Sequence, residues 1–118
     1  IVTYGMGVHW AVNASTKFPG QVEVLDLRTL YPCDDEMVFE SVKKHGKCLV
    51  VTEEQILNSF AESLAGRISR ECFQYLDAPV GFVGSVNVQT VPMNMGMEKE
   101  MLTGVERVEK EIGKILGY

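Results

Sequence analysis

Short apolar runs alternate along the chain with longer stretches in which apolar residues return every third or fourth position. Ile1-Val2-Thr3-Tyr4 reads as a strand ending at Gly5. Val8, Ala11, Val12 and Ser15 then keep the spacing of a helix face until Pro19-Gly20 interrupts it. Val22 to Leu27 is rich in β-formers and leads into a turn through Tyr31-Pro32. Asp34 is placed to cap a second helix, with Asp35 and Glu36 in a first turn where negative charge favours the helix dipole. That helix carries Met37, Val38, Ser41 and Val42, and Gly46 after Lys43-Lys44-His45 marks its end. Cys48-Leu49-Val50-Val51 is continuously apolar, as expected of a central strand covered on both faces.

The spacing predicts a third helix over about Ser59 to Tyr75. Phe60, Leu64, Ile68 and Cys72 recur every fourth residue, while Glu62, Arg67, Arg70 and Glu71 take the other side. Pro79 stops it, and Val80 to Val83 gives a fourth strand. Ser85 to Met97 is irregular, with Pro92 and the methionines Met93, Met95 and Met97. Thr103-x-x-Glu106 reads as a capping box opening a last helix with Val105, Val108, Ile112, Ile115 and Leu116 as its apolar stripe. Strands alternating with helices imply a three-layer α/β domain: a mostly parallel (mixed) sheet of about five strands, helices on both faces, joined by right-handed crossovers.

At 118 residues the chain fits one domain, spanning 1–118. Because it opens with Ile1 directly inside a strand-like run, it is expected to be a piece of a longer polypeptide. Eleven basic against sixteen acidic residues give a net charge of −5. With no Lys/Arg cluster, this argues against a nucleic-acid partner. No apolar run reaches the ~18 residues needed to cross a bilayer, so no membrane partner is expected. Cys33, Cys48 and Cys72 are an odd set without paired spacing and read as reduced thiols of a cytoplasmic protein.

In an open α/β sheet ligands gather at the carboxyl ends of the strands. Three such ends stand out: Gly5-Met6-Gly7, Asp26-Leu27-Arg28 and Thr52-Glu53-Glu54. The glycine pair is not a dinucleotide loop, since Trp10 occupies the place of the third glycine. Asp26 and Arg28, two apart on a strand, should share a face and satisfy each other. Glu53 and Glu54, as neighbours, should point to opposite faces. Asp26, Arg28, Asp34 and Glu53 are therefore candidates for a structural polar network. His9 and His45 lack the nucleophile and orienting partner that general base work needs. No catalytic, cofactor-binding or metal-ligating residue is expected.

Several segments together resemble one family. They are Ile1-Val2-Thr3-Tyr4-Gly5-Met6-x-Val8-His9-Trp10-Ala11, Val22-Glu23-Val24-Leu25-Asp26-Leu27-Arg28-Thr29-Leu30-x-Pro32-x-Asp34, Glu40-Ser41-Val42-Lys43-Lys44, Leu49-Val50-Val51-Thr52-Glu53-Glu54 and Phe73-x-Tyr75-Leu76-Asp77-Ala78-Pro79-Val80. They look like the C-terminal, transketolase-like domain of the beta subunit of thiamine-diphosphate-dependent 2-oxo acid dehydrogenases, the pyruvate and branched-chain enzymes. Two stretches depart from that pattern. Asn58-Ser59-Phe60-Ala61-Glu62 stands where a glycine-rich approach is usual, and Asn87 to Met93 replaces an Asp-x-Pro-x-Pro-Tyr type segment.

The resemblance implies a division of labour. Thiamine diphosphate and Mg²⁺ would be held by the parent enzyme and not by this domain alone. The implied partners are the N-terminal pyrimidine-binding domain of the same chain, an alpha subunit or fused alpha region, a second beta subunit and the dihydrolipoyl acyltransferase core. The domain itself would be a non-catalytic assembly element. Phe60, Leu64, Ile68, Met93 and Met95 are the candidate interface residues. Two alternatives are the same domain in another transketolase-type enzyme, for ketol transfer or deoxy sugar phosphate synthesis, and a free-standing small-molecule binding module with its site near Gly7, Arg28 and Glu53.

Overall fold

The computed structural model describes residues 1–87, 93–97 and 102–118. In chain order they form β1 (Val2–Thr3), α1 (Met6–Ser15), β2 (Leu25–Asp26), α2 (Asp35–His45), β3 (Leu49–Gln55), α3 (Phe60–Glu71), a 3₁₀ turn (Phe73–Tyr75), β4 (Gly81–Ser85) and α4 (Val105–Leu116). The strands lie in the order β2-β1-β3-β4, and all pairs are parallel. The described residues thus supply four strands where about five were expected, with no antiparallel pair among them.

The alternation of side chains along β3 divides the core. Val50 points to one side with Val38, Val42, Leu64 and Ile68 from α2 and α3. Leu49 and Val51 point to the other, with Ala14 of α1 and Val108, Ile112 and Ile115 of α4. A strand covered on both faces needs no polar alternation, which is why the apolar run at 48–51 is continuous.

The caps explain where the helices begin. Asp34 accepts from the Met37 N–H at 3.1 Å, and Gly46 closes α2 at φ 74°. At α3, Ser59 accepts from the Glu62 N–H at 3.1 Å while the Glu62 carboxylate reaches back to the Asn58 N–H at 2.7 Å. This resembles a capping box, with the carboxylate reaching one residue further back, to the residue before the N-cap. Asn58 stands at φ 58°, a left-handed conformation that glycine adopts at less cost. The capping box expected at Thr103 does not form. Gly104 is the N-cap of α4, and Thr103 instead donates its hydroxyl to the Thr52 carbonyl at 2.9 Å, tying the start of α4 to β3. The third helix also ends earlier than its spacing suggested. Cys72 leaves helical geometry, and Phe73 to Tyr75 follow as a separate 3₁₀ turn.

Gly7 fixes how closely α1 approaches the sheet. A Cβ there would overlap Thr3 Oγ1 and lie 3.2 Å from the Val51 carbonyl oxygen, the two atoms that already share a 2.8 Å hydrogen bond. Gly66 of α3 is the counterexample, with nothing within 4 Å of a Cβ. Gly7→Ala is therefore expected to lower the unfolding free energy by about 1–3 kcal/mol despite alanine's better helix propensity. Gly66→Ala is expected to raise it by about 0.5–1 kcal/mol. Urea denaturation of the two variants checks the contrast, and a stabilised Gly7→Ala would contradict this packing.

Candidate functional site

The strand order reverses between β1 and β3, so the crevice that open α/β sheets use for ligands lies at the carboxyl ends of these two strands. Tyr4 leaves β1 here, and Thr52, Glu53 and Glu54 stand on β3 beside it. The Tyr4 hydroxyl donates to Glu54 Oε2 at 2.7 Å and accepts from the Thr52 hydroxyl at 2.9 Å, while Thr52 Oγ1 accepts from the Glu54 N–H at 3.1 Å. Burial pushes the Tyr4 phenol well above its ordinary range, with Glu54 reinforcing it. The neutral hydroxyl is thus held as a donor. The Tyr4 ring meets Phe60 edge-on at 5.8 Å, and the Arg67 guanidinium lies over the Phe60 ring at 5.8 Å while binding Asp35 at 3.0 Å.

This cluster was not among the candidates read from the sequence. Its signal was the Thr52-x-Glu54 spacing, which puts both side chains on one face of a strand. The candidate polar residues are placed as follows. Asp26 binds Arg28 at 2.8 Å and accepts its N–H at 3.1 Å, but Arg28 lies beyond the end of β2 at φ 60° and not on a strand. Asp34 caps α2. Glu53 is exposed, with its Oε1 3.5 Å from where a Cβ on Gly5 would lie. No hydrogen bond among the described residues joins these groups into one network.

The interface candidates also divide. Leu64 and Ile68 are 0% exposed and pack against the domain's own sheet, which corrects their reading as interface residues. The stripe is core because α3 lies with its apolar face on β3 and β4. Phe60 is half-buried between Tyr4 and Arg67. Met93 and Met95 are fully presented to solvent, at 101% and 85% exposure. Of the segment departing from the family pattern, Val88 to Pro92 lie outside the described residues.

Elsewhere, a cavity of about 120 Å³ opens at the amino end of the sheet, floored by Val42, Leu49, Ile112 and Ile115. The carboxylate at its edge, Glu23, already accepts from Ser41 Oγ at 3.0 Å and meets His45 Nε2 at 3.3 Å. Neither this cavity nor the one beside β4 and α4 is lined by Gly7, Arg28 or Glu53. Neither of these two cavities supplies the site near Gly7, Arg28 and Glu53 that a small-molecule binding module would use. All three cysteines are free, and burial pushes the Cys48 thiol up to about 11. Among the described residues no group of three or more His, Cys, Asp or Glu side chains is placed to hold a metal, and no helix is long and apolar enough to cross a membrane.

The arrangement defines a class: a parallel α/β sheet with a capped, self-satisfied carboxyl edge. Within that class the chain belongs to the transketolase C-terminal domain family, whose model matches residues 1–108. It is 35% identical over its whole length to the 2-oxoisovalerate dehydrogenase subunit beta of Bacillus subtilis, covering 37% of that protein. It is also 35% identical over 92% of its length to the pyruvate dehydrogenase E1 component subunit beta of Rhizobium meliloti, covering 24% of it. The chain thus spans about a third or less of these relatives. Among solved structures, a split gene transketolase described as an inactive beta4 tetramer superposes with a TM-score of 0.76 over 98% of this chain and 38% of that one. At 19% identity this shows the shared fold.

Thiamine diphosphate, which the resemblance implies for the parent enzyme, does not fit the carboxyl edge. Glu53 stands over Gly5 at the first turn of α1, where a diphosphate would have to approach the helix N-terminus. No Lys or Arg lies in 1–16 or 50–66 to balance its charge.

Two tests follow. Tyr4→Phe strips Thr52 and Glu54 of a shared partner and is expected to cost about 1–2 kcal/mol in urea denaturation. An unchanged midpoint would remove the cluster's structural role. The raised Cys48 pKa means that the unfolded thiol ionises before the folded one. This contribution is whole below the ordinary value of 9.0 and is lost as pH rises towards about 11. Stability of the wild-type chain should fall across that window more steeply than that of Cys48→Ala, and equal slopes would contradict it.

Proposed function

We propose that these residues are the C-terminal domain of the beta subunit of a 2-oxo acid dehydrogenase. The whole enzyme would decarboxylate a 2-oxo acid with thiamine diphosphate and pass the acyl group to lipoamide in the cytoplasm. The domain's own part is assembly: it supports the pyrimidine-binding domain that precedes it, packs against alpha and beta subunits, and offers a surface to the acyltransferase core. The likeness to dehydrogenase beta subunits at 35% identity over all or nearly all of the chain carries this reading. It is favoured over a sugar-phosphate transketolase because the likeness to a solved transketolase is one of fold alone. The Tyr4–Thr52–Glu54 cluster supports it as well. At the edge where a ligand would sit, the polar groups bond to one another and leave no convergent set of donors.

In this reading cofactor and Mg²⁺ are bound by neighbouring domains. Calorimetric titration of the 118-residue chain with thiamine diphosphate and Mg²⁺ is expected to give only heats of dilution. The same titration of the complete dehydrogenase should saturate. Saturable binding to the chain alone would overturn the proposal.

A further inference from the structure

At the amino end of the sheet one carboxylate joins two elements. Glu23 stands in the segment that leads into β2. Its Oε2 accepts from the Ser41 hydroxyl at 3.0 Å and lies 3.3 Å from His45 Nε2. Ser41 and His45 are one turn apart on α2, so both reach the carboxylate from the same helix face. The other ring nitrogen, His45 Nδ1, lies 2.9 Å from the Ser41 carbonyl oxygen. Glu23, Ser41 and His45 line the cavity at this end, and so does Cys48, which is only 3% exposed.

Each nitrogen of the His45 ring thus faces an oxygen that can only accept. A neutral imidazole carries one N–H and one lone pair, so it satisfies one of these oxygens and sets a lone pair against the other. The imidazolium satisfies both. His45 is also the last residue of α2, where the helix dipole attracts a cation. Other charged groups border the site. Lys47 Nζ donates to the Leu116 and Tyr118 carbonyls at 3.3 and 2.9 Å, and Lys43 lies over the Tyr75 ring at 5.2 Å. Lys44 precedes His45 and is exposed, and Asp77 lies against Gly46. From β1, the Ile1 amino group donates to the Glu23 carbonyl at 2.7 Å, and burial pushes it below its ordinary value of 8.0. The part of the lining that comes from α4 is apolar: Ile112, Ile115 and Leu116.

We propose that His45 is a proton-operated latch on this cavity. As the imidazolium it clamps the segment ahead of β2 to the end of α2 through Glu23. On losing its proton it turns a lone pair towards the carboxylate or towards the Ser41 carbonyl, swings away and opens the cavity that Cys48 lines. An exposed ion pair shifts such an equilibrium only a few-fold, so the latch grades access to the cavity and does not lock it. Ser41 keeps its own hydrogen bond to Glu23, which holds the segment in place for the ring to return. The latch goes beyond the assembly reading and belongs to these 118 residues whatever enzyme they serve.

Thiol labelling reads the latch. The 118-residue chain is treated with an aromatic disulfide reagent at about pH 5 and about pH 8, the ends of the range in which a histidine changes charge. Modification of Cys48 and of Cys72, a core thiol that does not line the cavity, is quantified by peptide mass spectrometry. Burial pushes both thiols above the ordinary 9.0, so their ionised fractions rise in proportion over this range and cancel in the ratio. The Cys48/Cys72 ratio is expected to rise about threefold from the lower pH to the higher, the size an exposed ion pair supplies, and less at high salt. It should stay flat in His45→Gln and in Glu23→Gln, while His9→Gln should behave as the unaltered chain. Acetylating the Ile1 amino group removes its titration and should leave the rise intact. Magnetic resonance gives an independent readout: at the lower pH both His45 nitrogens carry protons, and the Glu23 carboxylate carbon responds at the midpoint of the ring. A flat ratio in the unaltered chain, a rise that persists in both variants or vanishes on acetylation, or a Glu23 carboxylate indifferent to the ring's titration overturns the inference.

Discussion

At the centre of the domain the Thr3 hydroxyl donates to the Val51 carbonyl across the β1–β3 boundary, and Gly7 brings the first turn of α1 down onto the same two atoms. No side chain can stand between helix and strands at this point. The constraint sets the depth at which α1 lies and the parallel register Val2↔Val50 and Thr3↔Val51. It also sets the position of the crevice, since the sheet reverses its order at this boundary. Tyr4, one residue beyond β1, then has little choice of partner and closes onto Thr52 and Glu54. A fold that leaves its usual ligand crevice filled by its own hydrogen bonds keeps its outer surfaces for other work.

Those surfaces differ in kind. The two broad faces are occupied by helices whose apolar stripes are consumed by the sheet, as Leu64, Ile68, Val108 and Ile112 illustrate. The carboxyl edge keeps exposed apolar groups and carboxylates. The amino end holds a small cavity rimmed by already bonded groups.

Much of this was legible in the residues, and the failures have physical causes. Asp34 and Gly46 bound α2 because capping is a local event decided by two or three neighbours. The continuous run at 48–51 announced a strand buried on both faces. Thr103 misled, since its hydroxyl had a tertiary acceptor, the Thr52 carbonyl, that local sequence could not reveal. Ser59 caps its helix through the Glu62 N–H, as Thr103 does not. The stripe Phe60, Leu64, Ile68 was correctly apolar, but periodicity alone does not say whether such a face meets its own sheet or another subunit. The role of Tyr4 is not legible locally, because its partners Thr52 and Glu54 lie 48 and 50 residues away. The β-rich pattern through Leu27 and Arg28 suggests a longer strand, but the strand ends at Asp26 and the Arg28 backbone turns left-handed.

The central claim is that the outer surfaces of this domain are where it works. Amide hydrogen exchange on the complete protein in the proposed dehydrogenase assembly, before and after the proposed beta and alpha subunits are separated, tests this most directly. Loss of protection on separation should fall on surface elements of these 118 residues, the carboxyl-edge loops among them, while β1 and β3 keep theirs. Exchange that is identical in both states throughout the domain would mean that its surfaces contact nothing, and the account would fail.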